Sequence, residues 1–282
     1  MPKAVAAGVG DWPLAGRRCN HDVMALTPPE IEQFETDGVV VPQCRLGHAA
    51  VADLVASLDA HVAASTRRDV DFVPNVLDHE PSWIRFALLD EIIGSVRDLI
   101  GDDVILWGSG LFCKAATNGR ATPWHQDGQY WPIRPLATVT VWIAIDPVDE
   151  HNGCVRVIPG SHRDRVLHEH ARNDSRELIL NQELSAEQRG PTSPRSLILE
   201  PGQFSLHDVY MIHGANPNTS GRRRGGLAFR YMPATSHYDR ELAKRQAEEM
   251  RLHSMVHRTL FLASGADVSG KNDITELPST VQ

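Results

Sequence analysis

Two residues with metal-binding side chains, His125 and Asp127, stand two positions apart near the middle of the chain. If this stretch is extended, both side chains point to the same side, because side chains alternate along a strand. One imidazole nitrogen and one carboxylate oxygen on one face suit a borderline divalent metal such as iron(II), zinc or manganese. A third ligand from elsewhere would complete a two-histidine, one-carboxylate face with open positions for small molecules. The chain has fourteen histidines, and such a pair is also compatible with a simple polar contact in a turn.

A later histidine must supply the third ligand, and His207 and His213 both qualify by position. His213 ends an apolar run and is followed by Gly214, which lets backbone or a ligand approach closely. We interpret His207, six residues earlier, as a neighbouring histidine that does not ligate. Arg224 follows His213 by eleven residues, and the planar fork of an arginine can hold a carboxylate through two parallel hydrogen bonds. A solvated turn is the alternative interpretation of the arginines at 222–224.

Strands must position these residues. Between positions 104 and 231 the chain shows short apolar runs separated by turn signals such as Asn118-Gly119 and Asn152-Gly153. Helical periodicity or capping signals lie before and after this region. Helices are predicted at 28–38, 48–66, 91–100 and 238–262. Strands are predicted at 104–107, 111–114, 138–145, 154–158, 196–199, 203–206, 209–213 and 226–231. A mainly β chain with flanking helices predicts a double-stranded β-helix, the jelly-roll or cupin-like barrel.

The pattern fits one domain, predicted at residues 27–265. Residues 1–26 are small, glycine-rich and aperiodic, which predicts a loosely held N-terminal arm. Residues 266–282 are predicted to be a polar C-terminal tail. Residues 163–195 are charged and lack periodicity, and so long a connection between two strand blocks predicts a lid over the mouth of the barrel.

Composition limits the possible partners. The 282 residues are 41 % hydrophobic, with a formal net charge of −8, which argues against a nucleic-acid partner and against an anionic membrane surface. No apolar run approaches the roughly 18 residues that span a membrane, and the N-terminus lacks a signal-peptide pattern. Four scattered cysteines predict free thiols in a reducing compartment. We therefore expect a cytoplasmic protein with a small-molecule substrate.

Four sequence blocks extend the argument beyond single residues. They are LTPPEIEQFETDGVV at 26–40, WHQDGQYWPIRP at 124–135 continuing to Trp142, NGCVRVIPGSH at 152–162, and PGQ at 201–203 followed by the segment from His213 to Arg224. In content and order, these blocks resemble the phytanoyl-CoA dioxygenase family of iron(II)- and 2-oxoglutarate-dependent oxygenases. The resemblance covers the chain from residue 26 to about residue 233.

The resemblance implies roles for individual residues. The iron ligands that it implies are His125, Asp127 and His213. Arg224 matches the arginine that binds the far carboxylate of 2-oxoglutarate, and Trp142 matches a tryptophan of the cosubstrate pocket. Lys114, on the strand before the metal-binding turn, is a looser match to the same pocket. His162 is interpreted as structural. Four further residues near the turn are candidates for the substrate pocket, with core packing as the alternative for the aromatic ones: Trp124, Tyr130, Trp131 and Arg134.

One position departs from the family pattern. Members often carry a hydroxyl residue two positions after the distal histidine, where this chain has Ala215. The corresponding hydrogen bond to 2-oxoglutarate is therefore missing or comes from Thr140 or Ser109. Related halogenases replace the metal-binding carboxylate with alanine or glycine, whereas this chain keeps Asp127, which favours hydroxylation.

The function that the resemblance implies is hydroxylation of a small metabolite by dioxygen and 2-oxoglutarate, with release of succinate and carbon dioxide. Desaturation, epimerisation and cyclisation use the same cofactors and remain alternatives. A catalytically inactive barrel that binds a small ligand is an alternative of another class. An acyl-CoA substrate is less favoured because the acidic chain has no strong basic cluster apart from residues 222–224.

Overall fold

Residues 25–65, 71–250 and 255–277 are described by a computed structural model, so the predicted N-terminal arm lies almost entirely outside the described residues. The helices are α1 (Pro28–Asp37), α2 (His48–Ala64), α3 (Ile84–Ala87), α4 (Asp90–Ile100) and α5 (Arg240–Met250). The strands are β1 (Val39–Val40), β2 (Val73–Pro74), β3 (Val104–Lys114), β4 (Thr122–His125), β5 (Ile133–Arg134), β6 (Val139–Ala144), β7 (Val155–Val157), β8 (Ala171–Arg172), β9 (Gln182–Glu183), β10 (Arg195–Ser196), β11 (Phe204–Asp208), β12 (His213–Ala215), β13 (Arg224–Pro233), β14 (His237–Tyr238), β15 (Leu260–Ser264) and β16 (Ile274–Thr275).

Two sheets form the barrel. The larger sheet has the strand order β1-β11-β6-β13-β3-β15-β16, with β2 also paired to β3, and the smaller sheet has the order β10-β7-β12-β4. The strands that carry the site pair antiparallel in both sheets. The predicted double-stranded β-helix with flanking helices is confirmed. None of the helices in the described ranges is long and apolar enough to cross a membrane.

Strand β13 shows how one sheet serves both the core and the cavity. Leu227 and Phe229 belong to the main hydrophobic core, which the helices cover. Arg224, Ala228 and Arg230 line the cavity between the two sheets. The two sets separate because successive side chains of a strand point to opposite faces. The outer face therefore anchors the helices, while the inner face presents polar groups to a ligand.

Helix α1 begins and ends as its sequence predicts. The backbone N–H of Thr27 donates to Glu30 Oε2 at 2.7 Å, which is half of a capping box. The helix ends at Gly38, whose φ of 76° lies in the left-handed region that glycine tolerates. This turn leads into β1, where Val39 pairs with His207 of β11. The helix thereby places an edge strand beside the metal-site region.

Two strand predictions in the barrel were wrong in detail. Residues 104–107 and 111–114 form one strand, β3, with a register shift opposite Arg230 and Tyr231. Residues 209–212 were predicted as strand, but they form a turn. The Asp208 carboxylate accepts a hydrogen bond from the backbone N–H of Tyr210 at 2.8 Å, and such aspartate-centred turns compete with strand pairing. The strand therefore begins only at His213.

The other corrections concern strand ends and the C-terminal region. Of the strand predicted at 196–199, only Ser196 lies in a strand, the pair Arg195–Ser196, while Leu199 forms an isolated bridge with Val148. Among the described residues of the helix predicted at 238–262, Arg240–Met250 is helical, and Leu260–Ser264 forms β15 against β3. Within the predicted tail, Ile274–Thr275 pairs with β15. The open edge of the larger sheet offers unpaired backbone groups, and pairing them overrides the local helical pattern.

Candidate metal and cosubstrate site

The three predicted metal ligands come together at the smaller sheet. His125 ends β4, and His213, at the start of β12, pairs directly with it. Asp127 begins the short 3-10 turn that follows β4. His125 Nε2 lies 3.5 Å from Asp127 Oδ1, and His213 Nε2 lies 4.0 Å from Asp127 Oδ2. One ligand atom from each residue lies within 4.8 Å of the others, which is close enough for one ion to contact all three.

Both histidine rings are held with Nε2 directed to the shared site. His125 Nδ1 lies 2.9 Å from the carbonyl oxygen of Pro123, and His213 Nδ1 lies 3.0 Å from that of Met211. In each case Nδ1–H donates to the carbonyl, because a carbonyl only accepts. The proton is therefore on Nδ1, and the Nε2 lone pair is available to a metal. The two strands thus provide matching ligand geometry.

The backbone of β12 approaches β4 closely beside the ligands. A Cβ atom added at Gly214 would lie 3.0 Å from the carbonyl oxygen of Thr122. Such a contact is tighter than most carbon–oxygen contacts, so a larger residue would push the strands apart. The glycine that follows His213 therefore supports the spacing of the two histidines.

The charge states of the ligands suit a divalent cation. Burial would raise the pKa of Asp127, but the surrounding imidazoles of His125, His207 and His213 hold it well below its usual value. Burial and the neighbouring His125 hold the pKa of His213 well below its usual value. An ionised carboxylate and a neutral imidazole are the forms that bind metals. The residues present therefore fit iron(II).

His207 lies beside the triad and is only 2 % exposed. Its Nε2 is 3.8 Å from Asp127 Oδ2, and its ring centroid is 4.7 Å from that of His213. Neither of its ring nitrogens has a hydrogen-bond partner within the described ranges. Thr140, which pairs with His207 across β6 and β11, donates from Oγ1 to Asp127 Oδ2 at 3.4 Å. His207 and Thr140, both named in the sequence analysis, thus lie on the same side of the Asp127 carboxylate.

Arg224 is a buried cation that faces the cavity. It is 1 % exposed, its guanidinium lies 5.2 Å from the centroid of the Trp142 ring, and its Nε has no hydrogen-bond partner among the described residues. Burial lowers its pKa to about 10, so it remains charged at neutral pH. Where the structure describes the chain, no carboxylate lies within ion-pair distance of Arg224, whereas Arg222 and Arg223 are both paired with aspartates. Burying an unpaired cation costs free energy unless an anionic group of a ligand pairs with it.

Trp142 supports Arg224 because β13 leaves space for the indole. Trp142 pairs with Ala228 across β6 and β13, and its ring lies over Gly226. A Cβ atom at Gly226 would fall 2.0 Å from Trp142 Cζ2, which no packing tolerates. The small residues at alternate positions of β13 are therefore what allows the tryptophan to lie beside the arginine.

Gly226→Ala should displace Trp142 and weaken the Arg224 site. We expect a loss of about 1–3 kcal/mol in the free energy of unfolding, the usual cost of overpacking a core, together with weaker 2-oxoglutarate binding. Denaturant unfolding and calorimetry measure the two effects. Gly221→Ala is the matched control, because nothing lies within 4 Å of a Cβ atom there. Unchanged stability and unchanged 2-oxoglutarate affinity in Gly226→Ala would contradict this account.

The other predicted cosubstrate residues take different places. Lys114 pairs with Arg224 across β3 and β13, and its Nζ donates to the carbonyl oxygen of Asn216 at 2.6 Å. Burial and the charge of Arg224 lower its pKa to about 6. Lys114 thus lies next to the arginine, bonded to the backbone, and its predicted contact with 2-oxoglutarate stays a prediction.

Thr140 and Ser109 were the two candidates for the hydroxyl missing at Ala215, and Ser109 already has two partners. The Ser109 hydroxyl donates to Asn75 Oδ1 at 3.3 Å and accepts from the backbone N–H of Leu77 at 3.2 Å. Both Ala215 and Thr140 line the cavity. Ser109 lines the cavity as well, and the Thr140 hydroxyl donates to Asp127, so the source of that hydrogen bond stays a prediction.

A cavity of about 910 Å³ joins these groups. Of the predicted substrate-pocket residues, Tyr130 and Trp131 line it. Trp124 and Arg134 lie elsewhere: Trp124 packs against a small apolar cluster with cations over its ring, and Arg134 donates to a backbone carbonyl in β5. Neither position is among the residues that line the cavity, and their predicted contact with a substrate stays a prediction.

Several residues that line the cavity were missed from the sequence. They are Phe72, Trp107, Phe112, Arg230 and Arg258. Only Arg230 had a usable sequence signal: it stands six positions after Arg224, an even spacing that predicts the same face of a strand. The ring nitrogen of Trp107 and the hydroxyl of Tyr130 are buried without a partner inside the described ranges. Such orphaned groups on a cavity wall are available to a polar ligand.

In this protein, a double-stranded β-helix directs two histidines and one carboxylate into one open cavity. This arrangement places it in the class of barrels with a facial-triad metal site. The comparison with known families then specifies the particular group. The family model described as phytanoyl-CoA dioxygenase (PhyH) matches residues 34–226, more than half of the chain. The chain belongs to the phytanoyl-CoA dioxygenase family.

Individual relatives are distant. The peroxisomal phytanoyl-CoA dioxygenase of Bos taurus is 27 % identical over 159 residues, which cover 55 % of this chain and 47 % of the relative. The L-proline trans-4-hydroxylase of Streptomyces griseoviridis is 27 % identical over 176 residues, which cover 56 % of this chain and 66 % of the relative. The matched region thus spans about half the length of the bovine protein.

A solved structure shares the fold. The epimerase SnoN, in complex with Fe3+, alpha ketoglutarate and nogalamycin RO, superposes with a TM-score of 0.62 and 22 % sequence identity. The alignment covers 74 % of this chain and 84 % of SnoN. At this identity the similarity establishes the barrel alone.

Proposed function

We propose that the protein is an iron(II)- and 2-oxoglutarate-dependent dioxygenase that hydroxylates a small-molecule metabolite, with release of succinate and carbon dioxide. The observation that carries the proposal is one cavity lined by both the triad and the buried, unpaired Arg224. Family membership supports the same conclusion. Retention of Asp127 favours hydroxylation.

Each group would have a distinct role. His125, Asp127 and His213 would hold iron(II), which supplies oxygen activation when bound. The Arg224 fork would bind the far carboxylate of 2-oxoglutarate and thereby orient the cosubstrate. The Nδ1–H contacts of both histidines hold the rings in place. Apolar cavity walls, including Trp107 and Trp131, exclude water from the reacting groups.

The experiment is titration of the metal-free protein with iron(II) under anaerobic conditions, followed by 2-oxoglutarate binding and then by succinate formation in air with a metabolite set. Tight iron binding with no succinate above background for any compound, and no 2-oxoglutarate binding, would instead identify an inactive barrel. Product analysis by mass separates the reaction outcomes. Hydroxylation adds one oxygen atom, desaturation and cyclisation each remove two hydrogen atoms and are then distinguished by the structure of the product, and epimerisation leaves the mass unchanged.

The segment 163–195 is proposed as a lid over the cavity. Its middle, Ile179 to Asn181, lines the cavity, and β8 pairs with β9 inside it. At its base, the backbone N–H of Gln126, between two metal ligands, donates to His170 Nε2 at 2.9 Å. The segment therefore contacts both the ligand-bearing turn and the space where a substrate would lie.

Ligand binding should therefore protect this segment from proteolysis. We expect tryptic cleavage after the exposed Arg172 and Arg176 to slow by about tenfold once iron, 2-oxoglutarate and a turnover-supporting compound are present, because closed lids exclude solvent. Mass spectrometry of the fragments measures the rates. Cleavage after the exposed Lys271, outside the segment, is the internal control. Equal cleavage rates with and without ligands would count against a lid.

A further inference from the structure

Arg230 is a second cation on the cavity side of β13. Its Nη1 donates to the carbonyl oxygen of Ser109 at 2.8 Å, and its guanidinium lies 5.3 Å from the centroid of the Trp131 ring. Its Nε has no hydrogen-bond partner within the described part of the chain. Burial lowers its pKa to about 10, opposed by the charge of Asp127, so it remains charged at neutral pH. The guanidinium is therefore held in place and still has N–H groups that can donate hydrogen bonds to a ligand.

Arg258 is a third cation of the same wall. It lies between α5 and β15, and its Nε also lacks a partner among the described residues. Burial lowers its pKa, and its charge is close enough to Arg230 to lower the pKa of Arg230 as well. Among the ranges that the structure describes, no carboxylate lies within ion-pair distance of either arginine. Two like charges on one cavity wall are stabilised by an anion beside them.

2-Oxoglutarate cannot serve all three arginines. Six residues at about 3.3 Å each separate the Cα atoms of Arg224 and Arg230 by up to about 20 Å along β13. Their guanidinium groups lie over different rings, Trp142 and Trp131. A five-carbon diacid that reaches from the metal to Arg224 therefore leaves Arg230 and Arg258 for another ligand.

The charge balance of the site with iron(II) and 2-oxoglutarate bound also leaves Arg230 and Arg258 for another ligand. Asp127 is the one carboxylate among the described residues that line the cavity. The two charges of iron(II) and that of Arg224 would be balanced by Asp127 and by doubly charged 2-oxoglutarate. Within the cavity, Arg230 and Arg258 would then have no anion of their own, since Asp78 acts on Arg258 only from outside the cavity lining. Poorly compensated charge in a partly desolvated cavity is costly. A neutral or cationic substrate would leave that cost in place.

We propose that the substrate carries an oxyanion, a carboxylate or a phosphate, that binds to Arg230 and Arg258 at the opposite end of β13 from the 2-oxoglutarate site. This inference rests on the proposed function, since it assigns the substrate class of the same cavity. Trp107 and Trp131, which pack edge to face at 4.7 Å, provide an apolar surface next to the arginines. The substrate body that fits this surface is apolar, with the acidic group at one end.

The test uses three matched probes with the iron(II)- and 2-oxoglutarate-loaded protein under anaerobic conditions: 3-phenylpropionate, 3-phenylpropanamide and phenyl phosphate. Calorimetry measures their dissociation constants. At least one acid should bind about tenfold or more tightly than the amide, since hydrogen bonds to charged groups exceed neutral ones by about this much. The tighter of the two acids identifies carboxylate or phosphate as the group recognised. If neither acid binds more tightly than the amide, the proposal is wrong.

Arginine variants test which side chains are responsible. Arg230→Gln and Arg258→Gln should each weaken binding of the preferred acid by about tenfold and leave the 2-oxoglutarate dissociation constant within about twofold of wild type. Arg230→Lys, which keeps the charge without the fork, should have an intermediate effect and serves if the glutamine variant fails to fold. Arg222→Gln, whose side chain pairs with Asp149 outside the cavity, is the control.

The two proposals fail differently. Loss of 2-oxoglutarate binding in the wild-type protein would contradict the dioxygenase function, whatever the probes do. Normal 2-oxoglutarate binding with equal affinity for acid and amide, or with acid binding unchanged in both glutamine variants, would contradict only the role of Arg230 and Arg258.

Discussion

Alanine at His125, Asp127 or His213 should each weaken iron(II) binding by more than about 100-fold, since loss of an outer hydrogen-bond partner of a metal ligand alone costs about 10- to 100-fold. Each change removes one of the three atoms that converge within 4.8 Å. Anaerobic calorimetry with iron(II) gives the affinity, and circular dichroism establishes that the variants remain folded. Succinate formation should disappear in parallel.

His207→Ala is the decisive comparison, because His207 is as close to Asp127 as His213 is. Unlike His125 and His213, His207 has no backbone carbonyl among the described residues that bonds its ring nitrogens and directs its Nε2 as a ligand. We expect the variant to retain iron binding and substantial turnover. If His207→Ala lost iron and His213→Ala did not, the assignment of the third ligand would be wrong.

Arg224→Ala should raise the apparent constant for 2-oxoglutarate by roughly ten- to a hundredfold or more. A buried, charge-assisted fork contributes about 1.5–3 kcal/mol per hydrogen bond, and each 1.4 kcal/mol is about tenfold. Arg224→Lys keeps the charge but loses the planar fork, so its constant should lie between those of wild type and the alanine variant. The 2-oxoglutarate dependence of succinate formation measures the effect.

The neighbouring arginines provide controls of the same charge. Arg222 is exposed and pairs with Asp149, and Arg223 pairs with Asp146 and Asp59. Alanine at either position should leave the 2-oxoglutarate constant nearly unchanged. Arg223→Ala should cost stability, because it breaks two ion pairs at a half-buried site. An unchanged constant in Arg224→Ala would remove that residue from the site.

The sequence predicted the metal ligands because their signals are local. His125 and Asp127 stand two residues apart at the end of a short strand, and His213 precedes a glycine. In both places the local backbone sets the direction of the side chains. The helix from Pro28 to Asp37 could be predicted in the same way, because its capping residues and its final glycine directly flank it in the sequence. The position of Arg224 needed the family spacing, because charge alone does not distinguish it from Arg222 and Arg223.

Tertiary structure decided the features that depend on which other segment each part of the chain packs against. The strand at Leu260–Ser264 forms because β3 offers an edge, which its own helical pattern does not reveal. Trp124 turns away from the cavity and Trp107 turns into it, although both are tryptophans near predicted strands. Arg258 joins Arg230 only because the chain after α5 folds back over the barrel. By itself, the sequence predicted the three residues that converge at the metal-site geometry and the barrel that carries them. Which charges share the cavity was decided by side-chain burial and long-range pairing, since these depend on residues far apart in the chain.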